Sequence, residues 1–192
     1  ILSGLVSPPP GLAHSPGGEV VMISADQLRI RLATVQDVDV LTTFSAAMAW
    51  ETEHRRLDLA RLRLGTQAVI DRPEQGQYYV ADLHRNAPAD TVTVGQLLLT
   101  YEWSDWRNAQ FWWIQSVYVD PAWRRQGVYR AMHQAVMALA QSRADVCGVR
   151  LYVEGDNTVA QGVYERVGLT PSTYRIYESD FVLPKPSSPD RR

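Results

Sequence analysis

The sequence predicts an α/β fold built on one mixed sheet with helices on both faces. Three observations predict it. Runs with strand alternation and runs with helical spacing follow one another along the chain. A strand passes through a short glycine-containing loop directly into a helix at residues 114–129. The 192 residues are 45% hydrophobic and 21% charged, the composition of an ordinary globular domain rather than a disordered chain.

The elements are justified in order. Residues 1–23 carry Pro8-Pro9-Pro10, Pro16 and Gly17-Gly18 without an apolar period and are expected to be a flexible leader. The chain starts at Ile1, so Met22 is a candidate natural start, and whether residues 1–21 belong to the native protein stays open. A body is expected over 24–181 and a proline-rich tail over 182–192. Leu28–Ala33 alternates apolar residues with Arg29 and Arg31, as a half-buried strand does. Thr34, with Asp37 three residues on, reads as a helix start, and Val35, Val38, Leu41, Phe44 and Met48 follow at helical spacing. A second helix is expected over Leu59–Ile70, broken by Pro73 and Gly76. Strands are expected at Gln77–Asp82, Thr91–Tyr101 and Phe111–Val119, with Glu102–Ala109 as a polar loop. A helix over Val128–Arg143, a strand over Val149–Glu154, a helix over Asn157–Val167 and a closing strand at Tyr174–Tyr177 complete the order β-α-α-β-β-β-α-β-α-β.

Charge and cysteine content exclude several functions. The 21 acidic and 19 basic residues leave a net charge of −2, so nothing in the bulk electrostatics favours nucleic acid or an anionic membrane. Cys147 is the one cysteine, which rules out an internal disulfide. No apolar run is long enough to span a bilayer and the first residues do not have the pattern of a signal peptide, so the cytoplasm is the expected location. No metal-ligand, P-loop or dinucleotide motif is present.

Two segments carry chemistry. Ile114–Tyr129 ends a strand at Val119, runs through Arg124-Arg125-Gln126-Gly127 and starts a helix at Val128. The first helical amides have no partner within the helix and sit at its positive dipole end, which makes an anion site suited to a diphosphate. Arg124 and Arg125 add charge, and Gly127 permits close backbone approach. A βα turn with solvated arginines is the plain alternative. In Asn157–Leu169, Asn157 is placed to cap a helix and Ala160, Val163, Tyr164 and Val167 share one face. Tyr164 is then either a core tyrosine or an inward-facing hydroxyl with work to do.

Together these segments resemble the GNAT superfamily of acyl-CoA-dependent N-acyltransferases. The pattern Arg/Gln-x-x-Gly-x-Gly/Ala falls on Arg124, Gly127 and Tyr129, and Asn-x-x-Ala-x-x-x-Tyr-x-x-x-Gly-Phe falls on Asn157, Ala160, Tyr164, Gly168 and Leu169. Tyr129 departs from the pattern: either its side chain points away from the diphosphate or cofactor binding is weakened. The resemblance implies a mixed, mostly antiparallel sheet and acetyl-CoA as acyl donor. It implies that Val117 and Val119 pair with the pantetheine arm. It assigns the pyrophosphate to Arg124, Arg125, Gln126, Gly127, Val128 and Tyr129, with Asn157 nearby, and makes Tyr164 the general acid toward the leaving thiolate. Dimers are frequent in the family. A catalytically silent acyl-CoA-binding module of the same fold is the alternative.

The base and the acceptor side rest on fewer signals. Simple alternation puts Trp113, Gln115, Val117 and Val119 on one face of the third long strand, with no carboxylate among them. Glu102, Glu51 and Glu53 are therefore the candidate bases, Glu102 first. Glu51 and Glu53 beside Trp50, and Asp105 beside Trp103, combine carboxylates with indole faces, which suits an ammonium acceptor.

Overall fold

Alternating apolar residues build five strands: β1 (Leu28–Leu32), β2 (Gln77–His84), β3 (Thr91–Ser104), β4 (Ala109–Val119) and β5 (Val146–Arg150). In the computed structural model, which describes residues 23, 27–85 and 90–183, they form one sheet in the order β1-β2-β3-β4-β5. β1 to β4 pair antiparallel, and β5 lies parallel to β4. A parallel neighbour needs a crossover, and α3 (Val128–Gln141) supplies it. The expected mixed, mostly antiparallel α/β sheet is the one observed.

Each face has its own core. Val128, Met132, Val136 and Ala140 of α3 pack on Ala81, Leu83, Leu97, Leu99, Trp112 and Ile114. On the other face lie α1 (Val38–Glu53) and α2 (Leu59–Asp71). There Leu41, Val69 and Ile70 meet Ala33, Tyr78, Val80 and Leu98. Gly95 lets α3 sit close to the sheet. A Cβ there would lie 3.1 Å from the Tyr118 carbonyl and 3.2 Å and 3.3 Å from Val128 and Met132.

The passage from β1 to α1 is fixed by charge. The Asp37 carboxylate accepts the Thr34 backbone N–H at 2.7 Å, the helix-start role expected of it. A 3-10 turn, Val35–Asp37, precedes α1 proper. Arg31 donates to Asp37 at 2.7 and 2.8 Å and to Asp82 on β2 at 2.6 Å. Both carboxylates are buried, so this one guanidinium pins β1, β2 and the start of α1 together.

The structure corrects four local readings. Glu102, Trp103 and Ser104 belong to β3, leaving only a turn at 105–108, because apolar alternation and pairing continue to Ser104↔Ala109. β5 starts at Val146 and ends at Arg150 rather than covering Val149–Glu154. Residues 174–177 form no strand. Most important, alternation along β4 breaks. Ser116 has φ 48°, and the pairing jumps from Leu98↔Gln115 to Gln96↔Tyr118, so two β4 residues oppose one on β3. Trp112 and Ile114 face α3 before this bulge, and Val117 and Val119 face α3 after it. Trp113, Gln115 and Tyr118 consequently face α1 and α2.

The chain divides into two units, 1–151 and 152–192. The second contains α4 (Thr158–Arg166). The expected leader over 1–23 lies, apart from Ile23, outside the described residues, as does the expected tail beyond residue 183.

The Arg31 network sets one expectation. Its hydrogen bonds hold Asp37 below the ordinary carboxylate range, despite burial. An Asp37 lowered in the folded state contributes stability above the unfolded value of 3.8, and that contribution is lost as pH falls through the folded value. Asp37→Asn is expected to cost about 2 kcal/mol at pH 7. In urea unfolding curves the gap from the parent should narrow steadily as pH drops below that of an ordinary aspartate.

Candidate active site

The loop after β4 is shaped by its own side chains. Asp120 accepts the Ala122 N–H at 2.9 Å and caps the short turn Pro121–Trp123. Gln126 donates to the Ala122 carbonyl at 3.1 Å and ties the loop back on itself. Arg125 and Gly127 both have left-handed backbone, with φ 63° and 86°. Gly127 is the residue before α3, which starts with no side-chain cap. A Cβ on Gly127 would meet nothing within 4 Å, so the backbone is open on that side. These are the attributes of an anion cradle.

The two arginines divide the work. Arg124 donates to the Val119 carbonyl at 2.8 Å and to Glu51 of α1 at 2.6 Å, and its guanidinium lies 5.3 Å from the Tyr118 ring centroid. Arg125 is exposed and has no ion-pair partner among the described residues. Of these two, Arg125 is thus the exposed side chain without an ion pair among the described residues, and Arg124 ties the loop to α1. Tyr129 is half-buried, and its ring lies 5.9 Å from that of His133, one helical turn on. Burial pushes His133 below the usual imidazole value. Val128 is buried in the core between α3 and the sheet.

β4 also changes partners at this end. The β4–β5 ladder runs only from Gln110 to Trp113. Within the first unit β5 stops there, so the edge of β4 carrying Val117 and Val119 has no β5 residue beside it. Such an edge offers backbone N–H and C=O groups to an extended ligand.

The candidate acids and bases fall into two groups on the α1/α2 face. Glu51 accepts the Tyr118 hydroxyl at 3.0 Å and Arg124 at 2.6 Å. Burial, then the hydrogen bond to Glu51, pushes the Tyr118 phenol up to about 12. Glu102 accepts Arg150 at 3.0 Å and the Trp113 indole N–H. Between the groups, Gln115 donates to the Thr100 hydroxyl. Glu51 and Glu102 thus mark different places along β4. Glu53 pairs with Arg55 at 3.4 Å and is exposed. Trp103 is exposed on β3, and Asp105 accepts the Trp106 N–H, stabilising its own turn.

In the second unit, Asn157 accepts the Ala160 N–H at 3.0 Å, the capping role expected of it. Gln161 donates to the carbonyls of Glu154 and Gly155 and fixes the approach to α4. Burial pushes the Tyr164 phenol above its ordinary value.

Some residues escaped the sequence reading. Gln96 is fully buried and donates to Ser45 of α1 at 2.9 Å and to the Ser116 carbonyl at 3.3 Å. A lone amide inside the run Val94-Gly95-Gln96-Leu97-Leu98 was a visible signal, because buried polar groups need a reason. Arg150 lies 3.5 Å from the Phe111 ring centroid while pairing with Glu102, a relation between distant segments with no local signature.

Comparison with known proteins matches this architecture to one class. Residues 38–169 match the acetyltransferase (GNAT) family model, and the chain belongs to that family. It is 32% identical over 124 residues to a mycothiol acetyltransferase of Salinispora tropica, covering 58% of this chain and 40% of the relative. It is 31% identical over 156 residues to a mycothiol acetyltransferase of Rhodococcus erythropolis, covering 78% and 48%. The chain thus spans about half the length, or less, of these curated relatives. Among solved structures, a possible acetyltransferase from Clostridium difficile 630 is similar, with TM-score 0.74 and 35% identity over 81% of this chain and 99% of that one.

Among the described residues no helix is long and apolar enough to cross a membrane, and no cluster of ligating side chains fits a metal ion.

The loop geometry generates a prediction. With no steric contact at Gly127, only its left-handed φ penalises a side chain. Gly127→Ala is expected to destabilise by about 1 kcal/mol, and Gly127→Asn by less, in paired denaturant melts.

Proposed function

We propose that this chain moves an acetyl group from acetyl-CoA to a primary amine of a small molecule or peptide by direct attack on the thioester. The observation that carries the reading is the conjunction at the end of β4. An edge without a β5 neighbour leads through a short loop to a left-handed Gly127 and an α3 with no side-chain cap, beside an exposed Arg125 with no ion pair among the described residues. An extended pantetheine arm suits the edge at Val117 and Val119, and a diphosphate suits Arg125–Tyr129. The open space over Gly127 supports the fit.

In this reading the neutral amine nitrogen attacks the acetyl carbonyl carbon, and a backbone N–H of the Val117–Val119 segment stabilises the oxyanion. Collapse breaks the carbon–sulfur bond, and Tyr164 gives its proton to the departing thiolate. A phenol raised by burial stays protonated at neutral pH, as a donor must. Glu102 is the proposed base for the proton lost from the amine, directly or through water. Glu51, Glu53, Trp103 and Asp105 form the proposed acceptor side. The names of the curated relatives support acetyl transfer.

A second reading, an acyl-CoA-binding module without chemistry, draws on one observation: Glu51 and Glu102 are both engaged by cations and hydroxyl or indole donors. Calorimetric titration with acetyl-CoA and with CoA is expected to give saturable binding in the parent and none in Gly127→Trp. With a panel of amines, Tyr164→Phe should lose roughly 10²-fold in kcat at unchanged cofactor affinity. Turnover absent with every amine, despite binding, would favour the silent module. Glu51→Gln and Glu102→Gln are each expected to weaken acceptor use. If both leave the acceptor's KM and kcat as in the parent, the carboxylate assignment fails.

A further inference from the structure

We infer that Gln96 is a positioning residue that aims the oxyanion-stabilising backbone N–H of Val117, acting through the bulged Ser116–Val117 peptide. The inference rests on the acetyl-transfer reading above and adds the device that fixes its geometry.

The argument starts from one planar peptide. The Ser116 carbonyl and the Val117 N–H belong to the same trans amide and point in opposite directions. The Gln96 side-chain nitrogen donates to the Ser116 oxygen at 3.3 Å. The carbonyl is thereby turned toward Gln96, and the Val117 N–H is turned away from it. Gln96 lies on β3, the inner neighbour of β4. The N–H directed away from it therefore belongs to the side of β4 that carries no β5 ladder beyond Trp113.

The regular β3–β4 pairing is interrupted at this peptide. Ser116 carries φ 48°, a conformation that side-chain-bearing residues adopt at a cost, and the bulge has no regular ladder to enforce it. Gln96 provides the missing constraint from a rigid place. It is fully buried, sits beside Gly95 at the seat of α3, and has the same amide nitrogen bonded to Ser45 of α1 at 2.9 Å. The side chain thus ties α1, β3 and the bulge to one point. An apolar residue of equal size would fill the space in the core but leave the peptide free to rotate. Oxyanion donors act by preorganisation, so loss of aim removes rate without removing cofactor binding.

The test uses acetyl-CoA alone as the probe first. Parent, Gln96→Met and Ser45→Ala are titrated with acetyl-CoA by calorimetry. The isotope-edited infrared carbonyl stretch of the bound thioester is then recorded for each, since a hydrogen bond to that oxygen lowers its frequency. The expected result is a lowered stretch in the parent and a return toward the free value in Gln96→Met, with Kd within about twofold. With an accepted amine, kcat should fall roughly 10²-fold while KM for acetyl-CoA holds. Ser45→Ala, which loosens Gln96 without touching the bulge, should shift the stretch partway and decides the matter if Gln96→Met does not fold. A parent-like stretch and kcat in the folded variants would overturn the inference and leave acetyl transfer standing. A parent that binds no acetyl-CoA would overturn both.

Discussion

The arrangement of the end of β4 depends on one irregular peptide. At Ser116 the chain spends two β4 residues against one on β3, and everything downstream is displaced by that step. Val117 and Val119 turn to the α3 face, and Tyr118 turns to α1, where it meets Phe44 and Glu51. Beyond Trp113 the β5 ladder stops, and the strand reaches the loop with no β5 residue beside it. A regular β4 would have put Val117 and Val119 on the opposite face and Tyr118 in the α3 core.

Charge organises the surroundings of that step in a consistent way. Arg31 joins two buried carboxylates at the β1 end of the sheet, Arg124 joins α1 to the end of β4, and Arg150 joins β5 to β3. Each guanidinium bridges segments far apart in sequence, where its several donors in a planar fork are of use. The exposed loop arginine, Arg125, stands outside this scheme. The division suggests why two adjacent arginines of the same type have unlike environments: one holds the loop to the body, and its neighbour faces outward.

Much of the fold was legible because it rests on local signals. Apolar alternation, the Thr34–Asp37 start, Asn157 as a cap and Gly127 before α3 are each decided within a few residues, and the structure reproduces them. The bulge was not legible. It falls on a serine rather than a glycine, and alternation carries no record of a skipped pair. Glu102 was misplaced for a related reason: a polar, tryptophan-rich stretch reads as a loop until its cross-strand partner is known. Tyr174–Tyr177 alternates well enough to suggest a strand, but a strand needs a neighbour, and the described structure provides none. The partners of Glu51 and Glu102 come from α1, β4 and β5 and belong to the tertiary level. The passage from β4 through Gly127 into α3, by contrast, was readable from residue types alone, since a left-handed residue at a helix start is decided locally.

Gly148 shows how such a protein can be tuned from a distance. It pairs with Phe111, and a Cβ there would come within 2.7 Å of the Phe111 ring. That ring is the platform under the Arg150 guanidinium, and Arg150 is the ionic partner of Glu102. A single methyl at position 148 would therefore act as a wedge, lifting the platform and resetting the cation against its carboxylate. Position 148 is thus a remote setting for one ion pair, adjustable without changing any polar residue around it.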